Sequence, residues 1–362
     1  MSPISLETRL HIVTGKGGTG KTTVAAALAL ALAEGGRRTL LIEVEGRQAL
    51  AQLFDRPALP YEEQRLATAS GGGEVFGLAI DPEQALLDYL EMFYNMKRAG
   101  RVLRRMGAID FVTTLAPGMR DVLLTGKVKE AVVRRSNGKA RDGDRETHLW
   151  AYDAVVVDAP PIGRIRGFLD VTAEVQGLTK VGPIAKQSQG VSDVLHSDKT
   201  AIHLVTLLEE MPVQETVDAV ADLREGGYEL GAIVVNRHRP EFVAAGQVSR
   251  RTGNPRVDTA AVKRGLSGTG IDPALAAALA AQATEYVERQ DLQTANRERL
   301  DATDVPIVVL PELPPPVGPG ELNELALAFR EDEPVIPRAS PQTNASVIQR
   351  ASVQTNASES GA

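Results

Sequence analysis

Positions 15–23 read Gly15-Lys16-Gly17-Gly18-Thr19-Gly20-Lys21-Thr22-Thr23. Glycines at this density let a backbone curl until its N–H groups face phosphate oxygens. The lysine at the end of such a loop reaches the β- and γ-phosphates, and the following threonine offers its hydroxyl to Mg²⁺. Lys21 and Thr22 take those two places, and Gly15, Gly17, Gly18, Thr19, Gly20 and Thr23 complete the cradle. Residues 10–13 before it are β-type and residues 24–34 after it are Ala/Leu-rich and helical. A strand, a glycine loop and a helix N-terminus together bind an anion. Lys16 is a second lysine near the loop's start. Lys21 already serves the β/γ-phosphates, so Lys16 is best explained by the nucleotide of a partner chain.

Three further strand ends carry groups that suit a nucleotide. Ala154-Val155-Val156-Val157-Asp158 is an apolar run closed by a carboxylate, the pattern of a second phosphate-loop motif whose aspartate assists Mg²⁺ through its water shell. Ala159-Pro160-Pro161-Ile162-Gly163 follows at once and suits a switch segment that responds to the γ-phosphate. Thr39-Leu40-Leu41-Ile42-Glu43-Val44-Glu45 places Glu43 or Glu45 near the phosphates, where a carboxylate can orient or deprotonate the attacking water. Ile233-Val234-Val235-Asn236 ends in an amide that can read an adenine edge with one donor and one acceptor.

The rest of the chain must position these groups. Beta-type runs at 10–13, 39–44, 75–80, 154–158, 202–207, 232–236 and 306–310 are mostly continuous rather than alternating, which predicts a parallel sheet covered on both faces. Helical segments separate them. The fold class is therefore α/β: a doubly wound, mostly parallel phosphate-loop NTPase with a helical insertion subdomain. The ATPase domain is expected over 1–80 and 138–330, and the insertion over 81–137, opened by Asp81-Pro82. The insertion holds Met92, Phe93, Met96, Met106 and Met119, adaptable side chains that suit either a core or a promiscuous binding surface. Residues 171–199 read as a second short, polar insertion with little periodicity. Asp272-Pro273 opens a long Ala-rich helix reaching about Leu300, with one break expected. Residues 331–362 contain a repeated Ala-Ser-x-Gln-Thr-Asn-Ala-Ser and few large apolar residues, the composition of a disordered tail.

Composition narrows the classes. The 362 residues are 43% hydrophobic, enough for a sizeable core. There is no cysteine, which excludes thiolate zinc sites, iron–sulfur clusters and disulfides. A net charge of −7 does not favour nucleic acid, and the cluster Arg101, Arg104 and Arg105 reads as a solvated helix face. His11, His148, His196, His203 and His238 show no ligand spacing and read as structural or surface residues. With no targeting segment or spanning stretch in view, the expected location is the cytoplasm, a peripheral membrane role staying open.

In this order the motifs resemble the ArsA-type (arsenite-pump) and tail-anchored-protein-targeting ATPases, within the wider ParA/MinD class, over residues 9–330. Within that family the likeness is greatest to the paired ArsA-like ATPases of actinobacteria. The loop GKGGTGKTT is a full match. After the second strand the family has S-T-D-P-A-H; here Glu45 takes the place of its hydrolytic aspartate, and the proline and histidine are absent. The second switch, D-A-P-P-I-G-R-I-R-G-F-L at 158–169, keeps Asp158, Pro161, Gly163, Phe168 and Leu169, with Arg164 where the family has histidine. The resemblance implies ATP and Mg²⁺ as ligands. It places Glu215 on the nucleotide side, Asn236 on adenine and Pro311 over the base, and has Lys16 act across a dimer.

The resemblance further implies a homodimer or a heterodimer with an ArsA-like paralogue, handling a hydrophobic client or membrane-protein segment. Two other readings compete: a weakly or non-hydrolytic regulatory half of a heterodimer, and a ParA/MinD-like positioning ATPase.

Overall fold

The structure is a computed structural model and describes residues 4–94, 117–136, 150–170, 183–240, 242–243, 248–250, 255–267 and 269–330. Its centre is an eight-stranded sheet. In chain order the strands are β1 (Leu10–Gly15), β2 (Arg38–Glu43), β3 (Gln64–Thr68), β4 (Glu74–Ala79), β5 (Ala154–Asp158), β6 (Thr200–Thr206), β7 (Leu230–His238) and β10 (Ile307–Pro311). In space they run β10-β7-β6-β1-β5-β2-β4-β3, and every pair is parallel except β3 with β4. All seven expected strands are present. The eighth, β3, is an antiparallel edge strand, and only Leu66 among its five residues is buried. A separate two-stranded ribbon pairs β8 (Val248–Ser249) with β9 (Arg256–Val257).

Period-two alternation within the buried runs divides the core in two. Leu40, Ile42, Val155, Val157, Ile202 and Leu204 point to one face, where they join side chains of α4 (Pro117–Val133), α5 (Ile162–Leu169), α6 (Pro183–Leu195) and α7 (Glu210–Glu225). Leu41, Val156, Val205 and Val234 point to the other, against α1 (Lys21–Ala33), α2 (Ala49–Leu53) and α10 (Pro319–Ala328). The sequence of α1, KTTVAAALALALA, is apolar on all sides, and its residues from Val24 to Leu30 are all buried. Such a helix belongs inside a protein, and α1 lies between the sheet and α10.

Of the expected insertion, α3 (Pro82–Tyr94) and α4 are described. Asp81 Oδ1 accepts from the Gln84 N–H at 2.8 Å and so starts α3 as its sequence suggests. Val122, Leu123, Leu124, Val128, Ala131 and Val132 of α4 sit in the same core as β1 and β5. Residues 95–116, with Met96, Met106 and the arginine cluster, lie outside the described residues, as do 137–149, 171–182 and the tail. The stretch 171–199 does contain a helix, α6, with Val191 and Leu195 in the core. The Ala-rich segment opens with a 3-10 turn at Pro273–Leu275 and then runs unbroken as α9 (Ala276–Asp301); the helix before it is α8 (Thr259–Leu266).

Candidate functional site

The glycine loop joins the C-terminal end of β1 to the first turn of α1, between the ends of β6 and β5. The crevice beyond strand ends is where doubly wound sheets bind ligands. Gly18 and Gly20 have φ of +89° and +88°, which a side chain would strain. A Cβ at Gly15 would lie 2.2 Å from the Val205 carbonyl oxygen, so only glycine lets the loop leave β1 this close to β6. Around Gly17 and Gly18 the space is open for 4 Å, as a phosphate cradle requires. The Thr19 hydroxyl donates to the Lys16 carbonyl at 2.9 Å and steadies the curl.

Lys21 begins α1 with its ammonium half-buried. Burial lowers its pKa, against the fields of Asp158 and Glu45 that raise it. Thr22 Oγ1 donates to Asp158 Oδ2 at 2.7 Å, while Asp158 Oδ1 is buried without a hydrogen-bond partner among the described residues. Burial pushes the Asp158 carboxyl up to about 6; the Thr22 hydrogen bond and Lys21 pull it back, and Glu43 and Glu45 push it further. An orphaned buried carboxylate oxygen is costly. Beside a hydroxyl at the foot of a phosphate cradle, it fits a hydrated divalent cation.

The two candidate carboxylates of the β2 end differ in role. Glu43 is 1% exposed and accepts from the backbone N–H groups of Ala49 and Leu50 at 3.4 and 3.3 Å. It is engaged in holding the start of α2. Glu45 lies within the electrostatic reach of Lys21 and Asp158 and is paired with two arginines, Arg47 at 3.2 Å and Arg164 at 3.6 Å. The switch segments after β2 and β5 are thus joined through Glu45 and Arg164. The segment after β5 is also tied to β1, the Thr14 hydroxyl donating to the Pro160 carbonyl at 2.7 Å.

On the other side of the loop, Lys16 Nζ pairs with Glu215 Oε1 of α7 at 2.5 Å. The structure therefore brings these two expected site residues together within one chain. Asn236 is 5% exposed; its Nδ2 donates to the Thr19 carbonyl at 2.8 Å and its Oδ1 accepts from the Arg237 N–H at 2.9 Å. Each atom keeps one unused hydrogen-bonding position. Asn236 lines a cavity of about 430 Å³ walled by Leu207, Leu208, Arg237, Glu312 and the α9 residues Arg289 and Asn296. Pro311 ends β10 opposite His238, next to this cavity rather than in its wall.

Sequence reading missed several of these residues. Arg237 and Arg239 both pair with Glu312, Arg237 at 3.4 Å. Arg237 is the last residue but one of β7, Arg239 follows β7 and Glu312 follows β10, a placement the strand-end rule contains but their separation in sequence conceals. The cavity wall given by α9 had no signal in the sequence. Of the histidines read as structural or surface residues, His11 and His203 stack in the core, with Nδ1 of His11 3.1 Å from Nε2 of His203, whereas His238 lines the cavity beside Asn236.

A strand, a glycine loop with a half-buried lysine, a hydroxyl–carboxylate pair and a base-sized cavity on the same rim agree with what comparison with known proteins finds. A family model described as anion-transporting ATPase matches residues 8–196. The chain is 51% identical over 320 residues to ATPase BagA of Mycobacterium tuberculosis (strain ATCC 25618 / H37Rv), covering 88% of this chain and 91% of the relative. It is 27% identical over 261 residues to ATPase GET3 of Meyerozyma guilliermondii, covering 62% of this chain and 71% of that one. It is also 25% identical over 246 residues to an arsenical pump-driving ATPase of Acidiphilium multivorum, covering 64% of this chain and 40% of the relative. With the matched segment holding the glycine loop, both switch segments and five of the eight sheet strands, this chain belongs to the anion-transporting ATPase family.

Proposed function

We propose that this chain binds ATP with Mg²⁺ and hydrolyses it slowly, as a dimer whose opening and closing handles a hydrophobic client or partner. The observation that carries the reading is the cradle itself: open glycines, Lys21 desolvated at its floor, and Thr22 bonded to a carboxylate with one unpartnered oxygen. The loop N–H groups and Lys21 hold the phosphates. Thr22, with Asp158 behind it, would hold the cation, which when bound neutralises charge on the β- and γ-phosphate oxygens. The base enters the cavity beside Asn236, whose remaining donor and acceptor suit an adenine edge, while Pro311 borders it.

Glu45 is the candidate for orienting the attacking water. The charges of Lys21 and Asp158 are felt at Glu45, which supports a position on the phosphate side of the crevice. Its carboxylate sits one methylene further from the backbone than an aspartate's would, and misplacement near 1 Å costs on the order of 10²-fold in rate. The two arginine partners also offset the negative charge with which Glu45 would attract a proton. These two features support slow turnover. They also favour a second reading, a regulatory half of a heterodimer that holds ATP and leaves hydrolysis to its paralogue.

Names of relatives support the coupling half of the proposal: one relative drives an arsenical pump and others are named ATPases. Here the client or partner element is the helical insertion over 81–137, with 171–199 a second short insertion on the ATPase domain of 1–80 and 138–330. Among the described residues no helix is long and apolar enough to cross a membrane.

The deciding experiment is steady-state ATP turnover by the full chain, alone and with its ArsA-like paralogue. Slow turnover reduced at least tenfold in Glu45→Gln is expected. Turnover that is brisk and unchanged in Glu45→Gln removes the role of Glu45. ATP binding without turnover alone, together with turnover beside the paralogue that Glu45→Gln leaves unchanged, favours the regulatory reading, and no ATP binding at all ends both.

A further inference from the structure

At the end of α1 opposite the glycine loop, an apolar groove of about 340 Å³ opens beside residues 4–6 and the end of α10. Ile4, Leu6, Leu32 and Phe329 line it, with Glu34 and Arg330 at its rim. Leu32 and Phe329 are buried, whereas Leu6 is 59% exposed. Covering such a side chain against an apolar wall is favourable.

The described chain ends at this groove. Arg330 lines it, and Nη1 of Arg330 pairs with Glu34 Oε1 at 2.5 Å. Next in sequence comes Glu331-Asp332-Glu333-Pro334-Val335-Ile336-Pro337-Arg338. Val335 and Ile336 are the first large apolar residues after Phe329. At about 3.3–3.6 Å per residue, the five or six residues from Arg330 span roughly 17–20 Å, enough to turn once and return to the groove. Pro334 and Pro337 bracket the pair. Each fixes its own φ and pushes the residue before it towards extended backbone, so this segment has little freedom to lose on docking.

Charge is complementary too. Arg37 Nη2 donates to the Leu6 carbonyl at 3.0 Å, and its Nε is buried without a hydrogen-bond partner among the described residues. Glu34 is already paired with Arg330, so Arg37 carries the uncompensated charge beside the groove. Residues 331–333 bring a carboxylate at every position.

We propose that residues 331–338 fold back on their own chain, Val335 and Ile336 filling the groove under Leu6 while the carboxylates of 331–333 face Arg37. The docked segment fastens residues 4–6 to α1 and α10 and closes the groove to other apolar partners. The repeats at 339–346 and 351–358 take no part in it. Docking needs neither nucleotide nor a second chain.

Because the chain has no cysteine, an introduced pair reports proximity without interference. Ser5→Cys/Arg338→Cys is made in the full chain, and formation of its disulfide in a glutathione buffer is timed on denaturing, non-reducing gels. Both positions flank the contact and leave its apolar residues in place. The same pair is then timed with Val335→Ser/Ile336→Ser, and separately with Leu6→Ser. Ser5 and Leu6 are exposed, so replacing them leaves the core alone. The chain between the two thiols keeps its length throughout, so only docking alters their effective concentration. The bond within one chain should form at least tenfold more slowly in either background. With Glu331→Gln/Asp332→Asn/Glu333→Gln it should slow at least threefold; an unchanged rate there would overturn the pairing with Arg37. Equal rates with and without the apolar substitutions overturn the docking. So does slowing by Val335→Ser/Ile336→Ser that Leu6→Ser does not share, which places the pair on another surface. A bond that forms only between chains, in mixtures of Ser5→Cys and Arg338→Cys, makes the occupant a second copy and overturns docking within one chain.

Discussion

At the scale of single residues, the loop's chemistry depends on one cation and one backbone angle. Lys21 is half-buried within the fields of Asp158 and Glu45. Lys21→Ala removes a charge-assisted contact to the β/γ-phosphate oxygens. ATP affinity measured by calorimetry should fall at least tenfold, about 1.4 kcal/mol; an unchanged affinity would dissociate the loop from nucleotide. Gly20 tests the link to the base cavity. It has φ of +88°, and a Cβ there would stand 2.4 Å from Asn236 Nδ2. Gly20→Ala therefore meets both left-handed strain, roughly 1–2 kcal/mol, and a clash with the amide that holds the Thr19 carbonyl. The expected result is a lower thermal midpoint together with weaker ATP binding. In an Asn236→Ala background the clash is gone, so Gly20→Ala should cost measurably less; equal cost in both backgrounds would mean that Asn236 does not brace the loop.

At the scale of elements, β1 and β6 are joined by more than their ladder. His203 Nδ1 accepts from the Ala232 N–H at 3.2 Å, so its proton sits on Nε2, facing His11 Nδ1; His11 Nε2 then donates to the Thr8 carbonyl at 3.2 Å. This chain works only with both rings neutral. Burial lowers His203 to about 4 and His11 well below its usual value, with His203 and Arg37 adding to the depression of His11. Unfolded histidine takes a proton near 6.5, so the stability present above that pH is lost as pH falls towards about 4, on the order of 3 kcal/mol for His203 alone. Asp158 has the opposite sign. Its carboxyl is raised to about 6, so its contribution is present at low pH and is lost as pH rises through that value. Urea midpoints should fall between pH 6.5 and 4.5, and fall more steeply in Asp158→Asn; a flat profile would contradict the neutral pair. Strands of this kind were legible because a strand buried on both faces must be apolar throughout, as Val155-Val156-Val157 is. The edge strand β3 was not, since Gln64, Arg65 and Thr68 face water and leave no pattern. The stretch 171–199 read as polar with little periodicity, yet its part from Pro183 to Leu195 is the helix α6, which packs on α4. The proposed phosphate ligands sit within one loop and can be read from spacing. The cavity proposed for the base is assembled from residues 207 to 312 and needs the fold to be seen.

At the scale of the whole molecule, Lys16 decides whether one chain is enough. Its ammonium pairs with Glu215, both side chains about one-third exposed, at 31% and 35%. A pair this exposed contributes little, typically under about 1 kcal/mol, so a partner's phosphates, carrying several negative charges, can displace Glu215. Lys16→Ala should therefore bind ATP within about twofold of wild type and hydrolyse it at least tenfold more slowly, a change in rate without a change in binding. Glu215→Gln frees Lys16 in advance and should favour the ATP-dependent dimer in light scattering. Mixing settles the geometry. Lys16→Ala keeps a competent loop and lacks the trans lysine, whereas Lys21→Ala keeps the trans lysine and lacks the loop. In a mixed dimer one site regains both groups, so equal mixing should restore up to about a quarter of wild-type turnover, half of the dimers being mixed and each having one competent site of two. A mixture no more active than either variant, with dimers present, would mean that Lys16 serves its own chain, and the dimer would then have no part in building the site.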